Sequence, residues 1–474
     1  MTSLHTEVLV IGSGAGGATT AMVLAEAGRS VLVVEEGPEI EPGSLTPFSL
    51  REMEQAYRHH GSSAALGSPP IAYAEGRCVG GSTEVNSGLW HRLPGALAEE
   101  WRIRFGLDDF TPEALDRYAA RIEALVPVHP VPGAPPRSSA ILEEGATKLG
   151  WRAVEFPRAF TYDVNGRGTK QTMSRTLLPR ARAAGATVLA DTAVRKLRIQ
   201  GDRVLGATCS RRRADGTSEQ IHIRADQVVV CGGAVQSPAL LQRSGVRRGI
   251  GHGLKMHPTI KIAARFPGPV DHDDVPMHRI TEFSPHLAIG GSASRRGHVA
   301  LALADSGADI ADALADWEHV FVYYAAIRSD LGGRVLAVPG MRAPLVTYRL
   351  TDSDLSRLAR GLVHLGEALL AAGATELYPS IEGGQVVRRP EELVGWWDAV
   401  DRSRTNLMTV HLTSSIRMSS DRSKAGTDGF GRVWGVPNLR VNDASLLADA
   451  PGVNPQAAIM TIALRNAEHL LATT

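Results

Sequence analysis

The sequence lacks most of what marks a secreted, metal-built or membrane-spanning protein. Among its 474 residues it has 3 cysteines, Cys78, Cys209 and Cys231, odd in number and widely spaced. That leaves no disulfide framework and no metal-ligand spacing, so a reducing compartment is expected and no metal is assigned. No apolar run is long enough to span a bilayer. A strand-like segment begins by Glu7, leaving no room for a basic head and a cleaved apolar stretch. No signal peptide is read there, and the cytoplasm is the expected location. Charge of one sign is not in excess either: 51 basic residues face 50 acidic ones, a net charge of +1. This balance argues against a nucleic-acid or membrane-surface role driven by bulk charge. Arginine supplies almost all the basic residues, which with the alanine and glycine load reads as codon bias. What remains is ordinary for a soluble globular chain: 43% hydrophobic and 21% charged residues, with length enough for two or three domains.

The most informative stretch is "EVLVIGSGAGGATTAMVLAEAGRSVLVVEEGP", residues 7–38. Val8 to Ile11 suit a strand buried on both faces. Gly12, Gly14 and Gly17 then give G-x-G-x-x-G, with Ala15 and Gly16 between them. A helical pattern follows to Ala27, and Gly28 stands where a helix would stop. A second apolar run, Val31 to Val34, ends in Glu35. Gly12 permits the tight turn, Gly14 lets backbone approach a pyrophosphate, and Gly17 lets helix and strand pack closely. The helix N-terminus meets the negative charge. Glu35, about 20 residues on, suits a carboxylate that accepts from a ribose. Together they point to a dinucleotide without a 2′-phosphate, NAD or FAD.

A second glycine cluster, "GRCVGGSTEVNSGLWHRLP" at residues 76–94, separates the two. It resembles the flavin-contacting segment of the glucose–methanol–choline (GMC) oxidoreductases, with Arg77, Gly80, Gly81, Ser82 and Asn86 on the motif. "GGAVQSPALLQRSGV" (232–246), "GLKMHPTIKI" (253–262) and "GVPNLRVNDASLLADAPGVNPQAAIMTIALRNAEHLL" (435–471) resemble later segments of that family, in the family's order. In the second of these four segments, Ser237 and Pro238 suit a helix start. "GTKQTMSRTLLPRARAAGATVLADTAVRKL" (168–197) is similar to bacterial members that oxidise long-chain alcohols, sterols or aminoglycoside sugars. The cysteine cluster common upstream in such members is absent from "FTYDVNGRG". Val85 stands where some members carry the histidine that bonds flavin, so the resemblance implies non-covalent FAD.

The resemblance implies an α/β fold: a Rossmann-like FAD-binding domain from residues 1–90, 176–260 and 405–474, and a substrate domain from 91–175 and 261–404. The second would be an antiparallel sheet flanked by helices, with "HVFVYYAAI" and "APLVTYRL" as candidate strands. Residues 353–373 read as a core-packing helix ending at Gly373. "PVHPVPGAPP" at 127–136 reads as a loop. Cofactor contacts are expected from the residues of the two glycine clusters and Glu35, and from Val194, Asp443, Ala444, Asn454 and Pro455. A last helix from near Pro455 to about Leu470 would aim its positive end at the flavin.

His411, in "VHLTSSIRM", matches the family's catalytic histidine, with Ser414 and Ser415 in place of Gly-Thr. Asn454 matches its partner, and a helix N-cap is compatible with that role. Hydride cannot leave an alcohol carbon until the hydroxyl proton is leaving, so an imidazole base and an amide donor suit the reaction. His257 reads as a packing residue at the domain junction. The acidic run "DHDDVPMH", 271–278, reads as a solvated loop, or as a wall facing a cationic amine, with Glu282 and Asp330 as weaker candidates. The leading expectation is FAD-dependent oxidation of a sugar, polyol or aminoglycoside-like alcohol. Sterol or long-chain alcohol oxidation, a non-oxidative lyase or photoenzyme, and an NAD-linked dehydrogenase are the alternatives. The electron acceptor, oxygen or another, is left open.

Overall fold

The computed structural model describes residues 2–213, 215–306 and 310–474, and two large sheets organise them. The first carries five parallel strands in the order Thr187–Leu189, Val31–Val34, Thr2–Ile11, Ser218–Val230 and Leu439–Val441. Arg203–Arg212 and Thr192–Gln200 extend it antiparallel. Val31 to Val34 are all buried, as expected of a parallel strand covered on both faces. The first helix, Ala15–Glu26, and the last, Gln456–Thr473, pack together on one face, with Ala18, Met22, Met460 and Leu464 in one apolar cluster.

The second sheet runs Ser63–Ala65, Ile71–Tyr73, Leu407–Thr409, Thr259–Arg265, Val320–Ile327, Leu287–Gly291, His278–Ile280, Ala153–Glu155. Glu376–Pro379 also pairs with Thr259–Arg265. Pairing is antiparallel apart from Leu407–Thr409 on Ile71–Tyr73. Sheet membership therefore crosses residues 90 and 405. Alternation along Val320–Ile327 divides the two faces. Phe321, Tyr323 and Ala325 share a core with Leu358, Leu362 and Leu369 of the helix Asp352–Ala371. Val322, Tyr324 and Ala326 face an internal cavity. That helix starts on a capping box: Asp354 N–H donates to Thr351 Oγ1 at 3.0 Å, and Thr351 N–H to Asp354 Oδ2 at 2.9 Å. It matches the expected segment, and residues 127–136 form the expected loop.

Two expectations are corrected. Leu345–Tyr348 joins a separate four-stranded sheet with Gly333–Leu336, His252–Met256 and Leu412–Thr413. Its half-buried alternation suits a sheet with one open face better than the wall of a cavity. The helix containing Ser237 and Pro238 starts earlier, at Gly233, so Pro238 lies inside it. A proline there cannot donate to the carbonyl four residues back, Ala234. Ser415 Oγ, 181 residues away in sequence, donates to that carbonyl instead at 2.6 Å. Among the described residues no helix is long and apolar enough to cross a membrane.

Candidate active site

The two sheets enclose a cavity of about 680 Å³, a size typical of ligand sites. One wall comes from the parallel sheet and the other from the antiparallel one. On the first wall, Gly12, Gly14, Ala15, Gly16, Glu35, Gly81, Ser82, Asn86, Val194, Asp443, Ala444, Asn454 and Pro455 all reach the cavity. Gly12, Gly16 and Gly81 leave no room for a side chain. Gly12 has φ +101°, and a Cβ on it would sit 2.4 Å from the Cys231 carbonyl oxygen. A Cβ on Gly16 would sit 1.9 Å from the Asn442 carbonyl oxygen. Gly14 and Gly81 face one another, so the two glycine clusters form one cradle of bare backbone.

The rest of that wall is held by buried polar contacts. Glu35, 7% exposed, accepts from Ser13 N–H at 3.1 Å, Ser13 Oγ at 2.8 Å and Gly37 N–H at 2.9 Å. Burial raises its pKa against those bonds. Asp443 accepts from Gly233 N–H at 2.8 Å, Ser445 N–H at 2.8 Å and the hydroxyls of Ser237 and Ser445, each at 2.5 Å. Burial raises its pKa too. Asn86 donates to Gln456 Oε1 at 2.5 Å, tying the second glycine cluster to the start of the last helix. Lys170, from the "GTK" segment, donates to the Asn86 and Glu84 carbonyls at 2.7 and 2.5 Å. Burial lowers its pKa to about 8. Three expected contacts lie behind the cavity wall. Gly17 packs against Gly12, as its motif requires. Gly80 N–H donates to Ser13 Oγ at 3.0 Å. Arg77 turns to Glu36, donating to its backbone carbonyl at 3.3 Å.

A cavity of this volume with a glycine cradle and Glu35 on its wall, and the last helix N-terminus opening into it, fits FAD.

His411 and Asn454 line the same cavity. His411 Nδ1 lies 3.0 Å from His257 Nδ1, with the rings edge-on at 88°. Gly452 N–H donates to His257 Nε2 at 3.1 Å. That places the proton of a neutral His257 on Nδ1, where it donates to His411 Nδ1. Burial, then Arg279 and Arg328, push the His257 pKa down to about 3. Burial, then His257 and Arg279, hold His411 well below the usual imidazole value. His257 is thus in direct contact with the candidate base, which corrects its reading as a packing residue only.

Asn454 does not cap the last helix, whose N-cap is Pro455 and has no side-chain cap bond. Asn454 Oδ1 accepts instead from Arg279 Nη1 at 3.0 Å. This fixes the amide so that its Nδ2 hydrogens are free to donate. Arg279 Nη1 also contacts His91 Nε2 at 3.3 Å.

Ser414 has φ +69°, a conformation that favours glycine. Ser414 and Ser415 do not line the cavity. Ser415 keeps the hydroxyl that satisfies the carbonyl freed by Pro238. The pair preserves the turn and leaves the pocket shape to other residues.

The acidic run does not face the cavity; of its eight residues only Val275 reaches it. Asp273 pairs with Arg295 at 2.8 Å and Asp274 with Arg158 at 2.9 Å. Glu282 and Asp330 are exposed, and Asp330 pairs with Arg357 at 2.6 Å. Sequence reasoning missed Arg279 and Lys261, which do line the cavity. The local signal was slight: one arginine in the three-residue strand His278–Ile280, and a lysine in the strand Thr259–Arg265, which also ends on an arginine.

A GMC oxidoreductase N-terminal family model matches residues 8–259, and the C-terminal model matches residues 338–463. An uncharacterised GMC-type oxidoreductase, y4nJ of Sinorhizobium fredii, is 40% identical across 99% of this chain and 95% of its own length. Long-chain-alcohol oxidase FAO1 of Arabidopsis thaliana is 26% identical over 97% of this chain and 66% of its own. Paromamine 6'-oxidase of Streptomyces fradiae is 24% identical over 98% and 90%. The crystal structure of pyridoxine 4-oxidase from Mesorbium loti superposes with a TM-score of 0.76 at 20% identity, covering 98% of this chain and 99% of that one. With the glycine cradle and its paired sheets, these matches place the chain in the GMC oxidoreductase family, FAD-dependent enzymes that act on alcohols.

Proposed function

We propose that this protein oxidises a polar, sugar- or polyol-like alcohol to an aldehyde or ketone, with His411 as base and Asn454 as hydrogen-bond donor to the substrate oxygen. The observation that carries it is the linked set Gly452–His257–His411 with Asn454 oriented by Arg279, all at one end of the cavity. Bound FAD supplies the hydride acceptor. His411 takes the hydroxyl proton as the C–H bond breaks. Asn454 Nδ2 donates to the oxygen as negative charge develops there. In the resting arrangement the His411 proton sits on Nε2. Offering that nitrogen as a base moves the proton to Nδ1 and turns His257 over to its other tautomer. The Gly452 bond is then lost, at roughly 1–3 kcal/mol, little against the effect of a positioned base. The cradle and Asp443 support non-covalent FAD held by residues of the first wall, and Val85 on that wall offers no nucleophile for a flavin bond.

Lys261, Tyr324, Arg279 and Thr259 on the second wall support a polar alcohol over a sterol or long-chain alcohol. The cationic amino-sugar reading loses its warrant with the acidic run, because the charges on that wall are positive. The test is anaerobic reduction of the flavin, followed by loss of its visible absorption, over a panel of sugars, polyols and long-chain alcohols. Reduction is expected with polar alcohols; a flavin that stays oxidised with all of them would sink the reading in favour of non-oxidative chemistry.

The pH dependence has a definite sign. His411 must be neutral to act as base, and its pKa is depressed. The acid limb of kcat/KM for flavin reduction is therefore expected below about pH 6.5. A limb at or above that value would argue against His411 as the base.

A further inference from the structure

The second wall holds a row of side chains that the reaction itself does not require. Lys261 pairs in register with Tyr324, and Tyr324 with Gly290. Ile280 opposes Ile289, so the same antiparallel register sets Arg279 opposite Gly290. Residues directly opposite in neighbouring strands share a face. Lys261, Tyr324 and Arg279 all line the cavity accordingly. Gly290 between them has no side chain, and a Cβ there would sit 2.8 Å from the Tyr324 hydroxyl. The phenol therefore leans over Gly290 toward the Arg279 strand. Three strand spacings separate Lys261 from Arg279, roughly 14 Å.

Among the described residues, neither cation of this row has a carboxylate partner. Arg279 is 5% exposed and forms no ion pair among the described residues; its bonds go from one nitrogen, Nη1, to the neutral acceptors Asn454 Oδ1 and His91 Nε2. Among the described residues, Nε and Nη2 have no protein acceptor. Lys261 Nζ has none either, and Asp305 acts on it only through space. Elsewhere, the buried Lys255, Arg158 and Arg465 sit on Asp449, Asp274 and Asp109, while Arg440, which also has no ion pair among the described residues, lies away from the cavity. A buried guanidinium with no counter-charge is costly, and its planar fork fits an oxyanion.

We infer that the substrate is an alcohol that also carries an oxyanion, a carboxylate or phosphate, bound by Arg279 beside Asn454, with Lys261 as a second cationic contact for a longer molecule. This rests on the alcohol-oxidation reading above. It adds the charge of the substrate and the residue that recognises it. Arg279 serves two ends: its Nη1 orients Asn454, and its free edge meets the anion.

The test uses the FAD-loaded protein and equilibrium binding, read from perturbation of the flavin absorption spectrum. The probes are 4-hydroxybutanoate and 6-hydroxyhexanoate against their primary amides, and glycerol 3-phosphate against glycerol. The anion of at least one pair is expected to bind roughly tenfold or more tightly than its neutral mate. The pair that discriminates tells carboxylate from phosphate. Arg279→Gln should bring the ratio to about one with FAD content unchanged, and Arg279→Lys should restore part of it. Lys261→Gln should weaken only the longer acid. Equal binding of anion and neutral mate, no binding of any probe, a ratio that survives Arg279→Gln, or loss of FAD from that variant would each overturn the inference. Selective anion binding by a protein whose flavin no alcohol reduces would keep the inference and remove the proposed reaction.

Discussion

His411→Ala is expected to lower the rate of anaerobic flavin reduction by roughly 10²–10⁴-fold, the usual contribution of a positioned base. FAD should stay bound at wild-type stoichiometry. The side chain of His411 touches the protein chiefly through His257, and none of its hydrogen bonds supports the glycine cradle. Its backbone N–H donates to Thr409 Oγ1 at 3.1 Å, which alanine retains. Two measurements separate base from structural residue: the flavin-to-protein absorbance ratio and the single-turnover reduction rate. A variant that loses FAD, or one that reduces its flavin at the wild-type rate, defeats the assignment.

Asp449→Ala should unfold the protein more easily by about 3–5 kcal/mol, the usual effect of stripping the counter-charge from buried cations. Asp449 is 3% exposed. It stands 2.9 Å from Arg104, 3.5 Å from Lys255 and 3.6 Å from Arg328. These residues come from the helix Gly95–Phe105, the strand His252–Met256 and the segment after Val320–Ile327, so one carboxylate ties three parts of the chain to the C-terminal region. Burial alone would raise its pKa. Lys255, the Ala450 N–H, Arg328 and Arg417 together hold it below the usual carboxylate value. A folded-state pKa depressed in this way stabilises above the unfolded value, near 4, and that stability is lost as pH falls through the folded value. Wild type should therefore lose stability on acidification below about pH 4 more steeply than the variant. Denaturant melts at neutral and acid pH check both points; equal midpoints for the two proteins at neutral pH would refute the role.

How much of this was legible in the sequence depended on how local each signal was. The dinucleotide cradle was readable because its strand, turn, helix and terminal acid occupy residues 7–38 in one run. The presence of His411 and Asn454 at the cavity was readable through flanking motifs, not through chemistry of their own. The pairing of His257 with His411 was hidden, because 154 residues separate them and only the fold brings the rings together. Ser237 and Pro238 looked like a helix start because the carbonyl they leave open is closed by Ser415, which no local pattern reveals. Residues 271–278 read as a solvated loop with a cavity wall as the alternative, because an acidic cluster reads the same whether it meets a ligand or, as here, arginines such as Arg158 and Arg295. Arg279 and Lys261 were invisible for a third reason: their meaning lies in the register of four strands, and register is a property of pairing.

That register has an evolutionary corollary. His411, the proposed base, and the flavin cradle sit on segments that Lys261, Tyr324 and Gly290 do not share. Diversification of these three positions can exchange one class of alcohol for another while Arg279 goes on orienting Asn454. Gly290 sets how far the phenol can swing, so a side chain there would retract Tyr324 and redraw the binding face in a single mutational step. A lineage built this way can explore new substrates without first rebuilding an enzyme.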